Sequence, residues 1–172
     1  MNDHLQSSVK DTLSVISPFK FINSEEKTDK KLLVNISDKY NYSTIGYYVS
    51  LLGEARGLKV IPSSDDILAL NNKNLFFHRM KKNGFRVDTI DDENKIEKIN
   101  IIFGRTLSKG FKTVARKIYY AVSVPLLQVK INKEKNIIDS IKFIEVKDLT
   151  DDEKLIFNRE IEKDEDMLLV RS

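Results

Sequence analysis

The sequence predicts an α/β fold, Rossmann-like and three-layered, with a mostly parallel sheet and an antiparallel hairpin near the C-terminus. Short apolar runs, of the kind that form strands buried on both faces, alternate with helical patterns. This alternation indicates a mostly parallel sheet covered by helices. Two further apolar runs, at residues 126–131 and 137–146, flank a short charged turn, as is typical of a hairpin.

The 172 residues fit one domain with a tail. Residues 1–30 predict an N-terminal tail and linker, and residues 31–172 a single α/β domain. The tail carries an apolar patch that suits a short strand or helix docked on the body. At the other end, the segment LLVRS at residues 168–172 suits either an apolar contact for a partner or a frayed end.

The first unit of the domain is a strand, a polar turn and an amphipathic helix. Residues 32–36 form a nearly continuous apolar run, and Ser43 or Thr44 can cap the helix that follows. The apolar stripe of this helix consists of Ile45, Tyr48, Val49 and Leu52. This spacing predicts Tyr48 in the core, and it leaves Tyr47 off the stripe, where it can line a cleft or a partner surface.

The remaining elements follow from breakers, caps and periodicity. Gly57 stands where a left-handed residue ends the first helix. The elements after it are a strand at residues 59–61, a helix capped within 63–66, a helical piece at 75–82, a strand at 99–103, a helix opened by Ser108, the hairpin, and a last helix opened by the capping box of Thr150 and Glu153.

Composition narrows the function classes. The chain has no cysteine, which excludes disulfides, thiolate catalysis and Cys-ligated zinc. It contains no apolar run long enough to span a membrane and no secretory signal pattern, so we expect a cytoplasmic protein without membrane contact. Residues 73–117 hold twelve Lys/Arg against five Asp/Glu, whereas residues 145–166 hold ten acids against four bases. A basic middle attracts anions, and nucleic acid is a lesser alternative because aromatic and basic residues do not alternate.

Two turns at predicted strand ends are candidate ligand sites, because open α/β sheets bind ligands beyond the carboxyl ends of their strands. The first turn, residues 37–44, lies next to a helix N-terminus that suits an anion. In the second turn, residues 104–106, Arg105 can clamp a phosphate or carboxylate and Thr106 can add a hydroxyl. The two turns meet only if their strands are neighbours. The candidate ligand-binding residues are Lys39, Tyr40, Tyr42, Ser43, Thr44, Tyr47, Arg105 and Thr106.

No catalytic residue, metal site or cofactor is predicted. Gly46 stands alone instead of in a glycine-rich fingerprint, and the sequence has neither a P-loop nor a nucleophile elbow. His78, beside two phenylalanines, suits a structural role. The acidic pairs and triples at residues 65–66 and 91–93 can attract magnesium, but adjacent carboxylates usually mark helix starts and loops.

Three segments resemble the N-terminal domain of RimK-like ATP-grasp ligases: residues 46–63 (GYYVSLLGEARGLKVIPS), 101–131 with its FGRT turn, and the helix at 149–162. In relatives, this domain precedes a module that joins a carboxylate to an amine using ATP. The chain ends at Ser172, before the length that such a module needs. The resemblance therefore implies either a fragment or a standalone form beside a ligase encoded separately.

The leading hypothesis is a noncatalytic accessory domain that recognises a substrate, an anionic small molecule or a peptide, or docks on the ligase. A small standalone enzyme acting on an anionic substrate, using Arg105 and Tyr47, is the second hypothesis. A nucleic-acid-binding module that uses the basic middle is the third.

Overall fold

A computed structural model of the chain describes residues 14–24, 28–37, 39–84, 96–134 and 137–171. Its strands are β1 (Ser14–Ile16), β2 (Leu32–Ile36), β3 (Lys59–Ile61), β4 (Ile96–Ile102), β5 (Leu126–Asn132), β6 (Ile137–Phe143) and β7 (Met167–Arg171). Its helices are α1 (Pro18–Asn23), α2 (Ile45–Ala55), α3 (Ser64–Asn71), α4 (Lys73–Lys82), α5 (Lys112–Ala121) and α6 (Asp151–Ile161), with a 3₁₀ turn at Val146–Asp148.

Four strands form a parallel sheet in the order β1-β7-β2-β3. Successive side chains along each strand alternate between the two faces of the sheet, as the two-residue period of a strand requires. Leu33 and Leu168 face one hydrophobic cluster, with Phe21 of α1 and Val49 of α2. Val34, next to Leu33, faces the other cluster, on the side of α6. Helices α1 and α2 therefore cover one face of the parallel sheet, and α6 covers the other.

The other three strands form a separate antiparallel sheet in the order β4-β5-β6. One face packs on α4 and α5 through a cluster that includes Met80, Ile118 and Val129. The two sheets meet at α6, because Phe157 shares its cluster with Val34 of β2 and with Ile102 of β4. This contact brings the end of β4 against the last helix, where the candidate site lies.

The α/β class and the antiparallel hairpin are confirmed, but the strand predicted at residues 99–103 lies elsewhere than expected. It is β4, which pairs antiparallel with β5 instead of extending the parallel sheet. Its apolar run is buried in both arrangements, so burial alone does not distinguish the two pairings. As a result, the first and second turns do not end neighbouring strands.

Described segments near both ends of the chain also join the parallel sheet. β1 and α1 lie inside the segment predicted as a tail, and β1 pairs with β7. The C-terminal segment is β7 itself, which lies between β1 and β2, and both predicted alternatives for it, a partner contact or a frayed end, are wrong. A five-residue apolar strand held on both sides gains ladder hydrogen bonds that a terminal segment otherwise lacks.

The predicted helix caps are confirmed where the N-cap residue and the residue three positions later form a capping box. Ser63 with Asp66 and Thr150 with Glu153 form reciprocal capping boxes at α3 and α6. Gly57, at a φ of 82°, follows α2 as expected. The prediction for Ser108 is wrong, because α5 begins at residue 112.

Candidate functional site

The first turn uses its polar groups to hold itself together. The Tyr40 hydroxyl donates to the Asn35 carbonyl oxygen at 2.6 Å and accepts from the Ser37 backbone N–H at 2.8 Å. The Ser37 hydroxyl in turn donates to the carbonyl oxygen of Lys39 at 3.1 Å. Tyr40 is buried, and its ring lies 4.6 Å from that of Phe143. This tyrosine, a predicted ligand residue, is thus part of the core.

The start of α2 lacks the predicted side-chain cap. Thr44 occupies the N-cap position, but its hydroxyl donates to the carbonyl oxygens of Lys39 and Asn41 at 3.0 and 2.7 Å. Ser43, the other predicted cap, is exposed and has a φ of 66°. The side chain of Lys39 is exposed, whereas its backbone N–H donates to Ser37 Oγ at 3.3 Å and closes the turn.

The predictions for Tyr47 and Tyr48 are reversed in the structure. Tyr47 is only 9% exposed and packs with Tyr40, whereas Tyr48 is 48% exposed. The buried face of α2 consists of Gly46, Tyr47, Val49, Ser50 and Gly53. Small residues let the helix approach the sheet closely, and a stripe defined only by large apolar residues misses that face. Tyr42 is 70% exposed, with its ring 5.2 Å from that of Tyr47.

A buried amide fixes α2 on the sheet. Asn35 is fully buried, and its Nδ2 donates to the carbonyl oxygen of Gly46 at 2.7 Å and to Ser50 Oγ at 2.9 Å. The Ser50 hydroxyl in turn donates to the carbonyl oxygen of Pro62. A β-carbon on Gly46 would lie 2.3 Å from the carbonyl oxygen of Lys39, so α2 can approach the turn this closely only with glycine at this position. The first turn is therefore a structural joint.

The second turn is a tight reversal that leaves its polar side chains outside. Phe103 and Gly104 both have positive φ, at 47° and 76°, and Ile102 pairs with Arg105 across the reversal. Gly104 lies against Tyr119, since a β-carbon there would be 2.9 Å from the β-carbon of that tyrosine. The close contact directs Arg105 away from the sheet and towards α5 and α6.

A cavity of about 860 Å³ opens beside the second turn, and we call it the basic cavity. Its walls come from the turn, from the exposed side of α5 and from the last turns of α6. The lining consists of Phe103, Gly104, Arg105, Thr106, Leu107, Lys112, Arg116, Tyr119, Tyr120, Ile156, Arg159 and Glu160. Four of these side chains are cations and one is a carboxylate, so the described lining carries an excess of positive charge.

One of the four cations is held by an ion pair. Arg105 Nε lies 2.6 Å from Glu160 Oε1, and Lys163 Nζ lies 2.6 Å from the same oxygen. Lys112, Arg116 and Arg159 form no ion pair with any residue that the structure describes. The cavity therefore presents three uncompensated positive charges, which attract an anion more strongly than scattered surface lysines do.

Besides the exposed Tyr120, two side chains of the lining offer hydroxyl protons. Burial, followed by the negative charges of Glu160 and Asp66, raises the pKa of Tyr119 from 10.0 to about 12, so its hydroxyl stays protonated at neutral pH. Thr106 is 6% exposed, and its Oγ1 accepts from the Ser108 backbone N–H at 3.2 Å. Its own proton has no acceptor among the described residues. Both groups can donate to an anion in the cavity.

The predicted site residues divide between two places. Arg105 and Thr106 line the basic cavity, and no residue of the first turn does. Sequence reasoning missed the cavity residues on the two helices. A signal existed for α5, because Lys112, Arg116 and Tyr120 recur every four residues and share one helix face. For Arg159 and Glu160 no local signal existed, since they reach the cavity through tertiary packing.

Other candidate positions do not line the basic cavity. Arg79 pairs with Asp66 at 2.8 Å and also with Asp65, so those carboxylates hold α4 to α3. His78 is exposed on α4. The acidic triple at residues 91–93 lies outside the described residues.

Fold and site together define a mixed α/β domain with an anion-attracting cavity. The chain belongs to the RimK-like ATP-grasp N-terminal domain family, whose model matches residues 20–160. This membership associates the chain with ATP-grasp ligases. A comparison with curated proteins finds no match.

None of the helices in the described ranges is long and apolar enough to cross a membrane.

Proposed function

We propose that this chain is a noncatalytic substrate-recognition domain that acts with an ATP-grasp ligase, which joins a carboxylate to an amine. The basic cavity holds an anionic group of the substrate. Family membership supports the association with a ligase. The observation that carries the recognition role is the set of three cations, Lys112, Arg116 and Arg159, that line one cavity without ion-pair partners in the described chain.

Uncompensated cations of this kind have an energetic consequence. Like charges gathered in one concave surface repel one another, and an anion removes that repulsion while gaining charge-assisted hydrogen bonds. Arg105 already donates to a carboxylate, that of Glu160, which is the kind of anionic group that its guanidinium binds. We expect an incoming anion to bind Lys112 and Arg116 first, and to compete with Glu160 for Arg105.

Binding accounts for the cavity better than catalysis does. Glu160 is engaged by Arg105 and Lys163, and Tyr119 keeps its proton far above neutral pH. The described lining includes neither a histidine nor a serine that could act as base or nucleophile. We further propose a cytoplasmic location, since a chain without cysteine has no disulfide to form in an oxidising compartment.

Two measurements test this function. Incubation of the purified chain with ATP, magnesium, amino acids and peptide acceptors should release no ADP above a protein-free blank. Titration with benzoate and with inorganic phosphate at low salt should shift the backbone amide resonances of residues 104–107 and the first turn of α5. The shifts should weaken as salt is added, because the attraction is electrostatic.

Either measurement can overturn the proposal. Appreciable ADP release or ligation by the chain alone would show that it is an enzyme. If neither anion perturbs the cavity amides at low salt, the recognition role is wrong. Arg116→Gln should reduce the shifts, whereas Lys142→Gln, an exposed lysine outside the lining, should not.

A further inference from the structure

We propose that the basic cavity selects a phosphate ester with a flat, apolar body over a carboxylate, an inference that rests on the proposed anion-recognition function. Three features of the cavity carry it: the number of uncompensated cations, a buried hydroxyl proton without an acceptor, and exposed apolar side chains in the lining.

The charge count favours a dianion. Lys112, Arg116 and Arg159 remain without an ion pair in the described chain after Arg105 is assigned to Glu160. A carboxylate brings one negative charge and two oxygens, so most of the positive charge of these three cations stays uncompensated. A phosphate monoester carries roughly 1.5 to 2 negative charges at neutral pH and three acceptor oxygens. Arginine guanidinium groups bind such oxygens in pairs. The phosphate therefore matches the cations more closely.

The buried donor also needs an anion oxygen. Thr106 is almost fully buried, its oxygen accepts from Ser108, and its proton has no acceptor in the part of the chain that is described. A buried donor without an acceptor costs free energy that a bound oxygen restores. Because Arg105 and Thr106 both line the cavity, one tetrahedral group there can contact both residues.

The lining also offers apolar surface for the rest of the ligand. Tyr120 is 73% exposed and Leu107 is 50% exposed, so both present apolar surface to the cavity that they line. An exposed ring beside cations suits a flat body, which stacks on the tyrosine while its phosphate meets Lys112 and Arg116. The volume of about 860 Å³ is that of a small-molecule site and far exceeds a lone phosphate.

A small ligand fits these observations better than a nucleic acid does. Single strands need a groove that follows the backbone over several nucleotides, with a succession of aromatic platforms. Of the tyrosines in the lining, only Tyr120 is largely exposed. Other exposed lysines, such as Lys98 and Lys142 on the antiparallel sheet, do not line the cavity. The three cations without ion pairs thus share one concavity, and those lysines do not extend it into a groove.

Phenyl phosphate and phenyl sulfate provide a matched pair of probes, equal in shape and different in charge. Calorimetric titration of the full chain at neutral pH should give phenyl phosphate an affinity about tenfold higher than that of phenyl sulfate or of benzoate. Phenyl phosphate should also bind several-fold more tightly than inorganic phosphate, because only the ester reaches Tyr120.

Variants of the lining show which residues contact the phosphate and which contact the flat body of the ligand. The double variant Lys112→Gln/Arg116→Gln should weaken phenyl phosphate by at least tenfold, roughly the effect of one charge-assisted contact. Tyr120→Ala should weaken phenyl phosphate and leave inorganic phosphate unchanged. Lys142→Gln is the control and should change neither. Urea unfolding of each variant establishes that the fold is retained.

The outcomes separate this inference from the proposed function. If phenyl sulfate or benzoate binds in the cavity as tightly as phenyl phosphate, the phosphate preference is wrong while anion recognition stands. If no anion binds, both are wrong. If a single-stranded oligonucleotide displaces phenyl phosphate with an affinity that rises with its length and falls steeply with salt, the ligand is a nucleic acid and the inference is overturned.

Discussion

The first turn and the second turn each follow a buried apolar strand, and each contains hydroxyl and cationic side chains. They differ in where their polar atoms are directed. In the first turn, the hydroxyls of Ser37, Tyr40 and Thr44 bond to nearby backbone groups. In the second turn, Arg105 and Thr106 face a cavity that also receives cations from two helices.

The difference shows that polar residues at a strand end do not by themselves indicate a ligand site. What matters is whether the local backbone offers partners for them. The first turn contains carbonyl oxygens that its own hydroxyls can reach, so its capacity for hydrogen bonding is used internally. The second turn is a tight reversal on Gly104, in which Arg105 finds its partner on α6. The Thr106 hydroxyl accepts from the Ser108 backbone N–H but keeps its own proton for a ligand.

The largest effect is expected where the first turn is tightest. Gly46→Ala places a β-carbon 2.3 Å from the Lys39 carbonyl oxygen and 2.7 Å from Ser37 Oγ. The backbone cannot yield without breaking the bonds around Ser37, so we expect the free energy of unfolding to fall by about 3 kcal/mol. Urea unfolding followed by circular dichroism measures the change.

Gly53→Ala is the matched control on the same helix. Its β-carbon would meet only side-chain tips, at 2.9 Å from Val60 Cγ2 and 3.1 Å from Leu33 Cδ1. Alanine also gains roughly 1 kcal/mol of helix propensity over glycine, so we expect a net change within about 1 kcal/mol. Equal losses in the two variants would contradict the idea that the first turn is a rigid joint.

A smaller loss is expected from Tyr40→Phe. This change removes one hydroxyl and leaves the Ser37 N–H and the Asn35 carbonyl oxygen without that buried partner. We expect the free energy of unfolding to fall by about 2 kcal/mol. Tyr42→Phe, at an exposed ring of the same turn, should change it by less than about 0.5 kcal/mol. If the Tyr40 variant is as stable as the Tyr42 variant, the hydroxyl is not structural and the turn is free to bind a ligand.

The sequence predicts those parts of the fold that depend on local signals. Ser63 with Asp66, and Thr150 with Glu153, form their boxes from residues three apart, and the hairpin follows from one turn. The strand pairing of β4 was missed because its apolar run satisfies either sheet. The face of α2 was missed because Gly46, Ser50 and Gly53 carry little hydrophobic signal.

The candidate site shows the same division between local and distant information. Arg105 and Thr106 were predicted from a strand end followed by a glycine, which is a local pattern. Glu160, which pairs with Arg105, lies on a helix more than fifty residues later in the chain. Only tertiary packing places α6 against the second turn, through the cluster that joins Phe157 to Ile102. A sequence pattern cannot specify that contact.

The smallest expected effect comes from changing the charge of the basic cavity. The sign of the resulting change in the free energy of unfolding distinguishes a binding site from a structural joint. Lys112 opens α5, a helix with no acidic residue in its first turn and no side-chain cap. A cation at a helix N-terminus opposes the helix dipole, so Lys112→Glu should raise the free energy of unfolding by about 0.5 kcal/mol. The same change should weaken phosphate and benzoate binding, because it removes a cation and adds an anion.

Lys73→Glu, at the first residue of α4 and outside the lining, should leave binding unchanged. A destabilised Lys112→Glu variant would mean that Lys112 supports the fold, whereas a stabilised variant with weaker binding means that its charge is retained for a ligand.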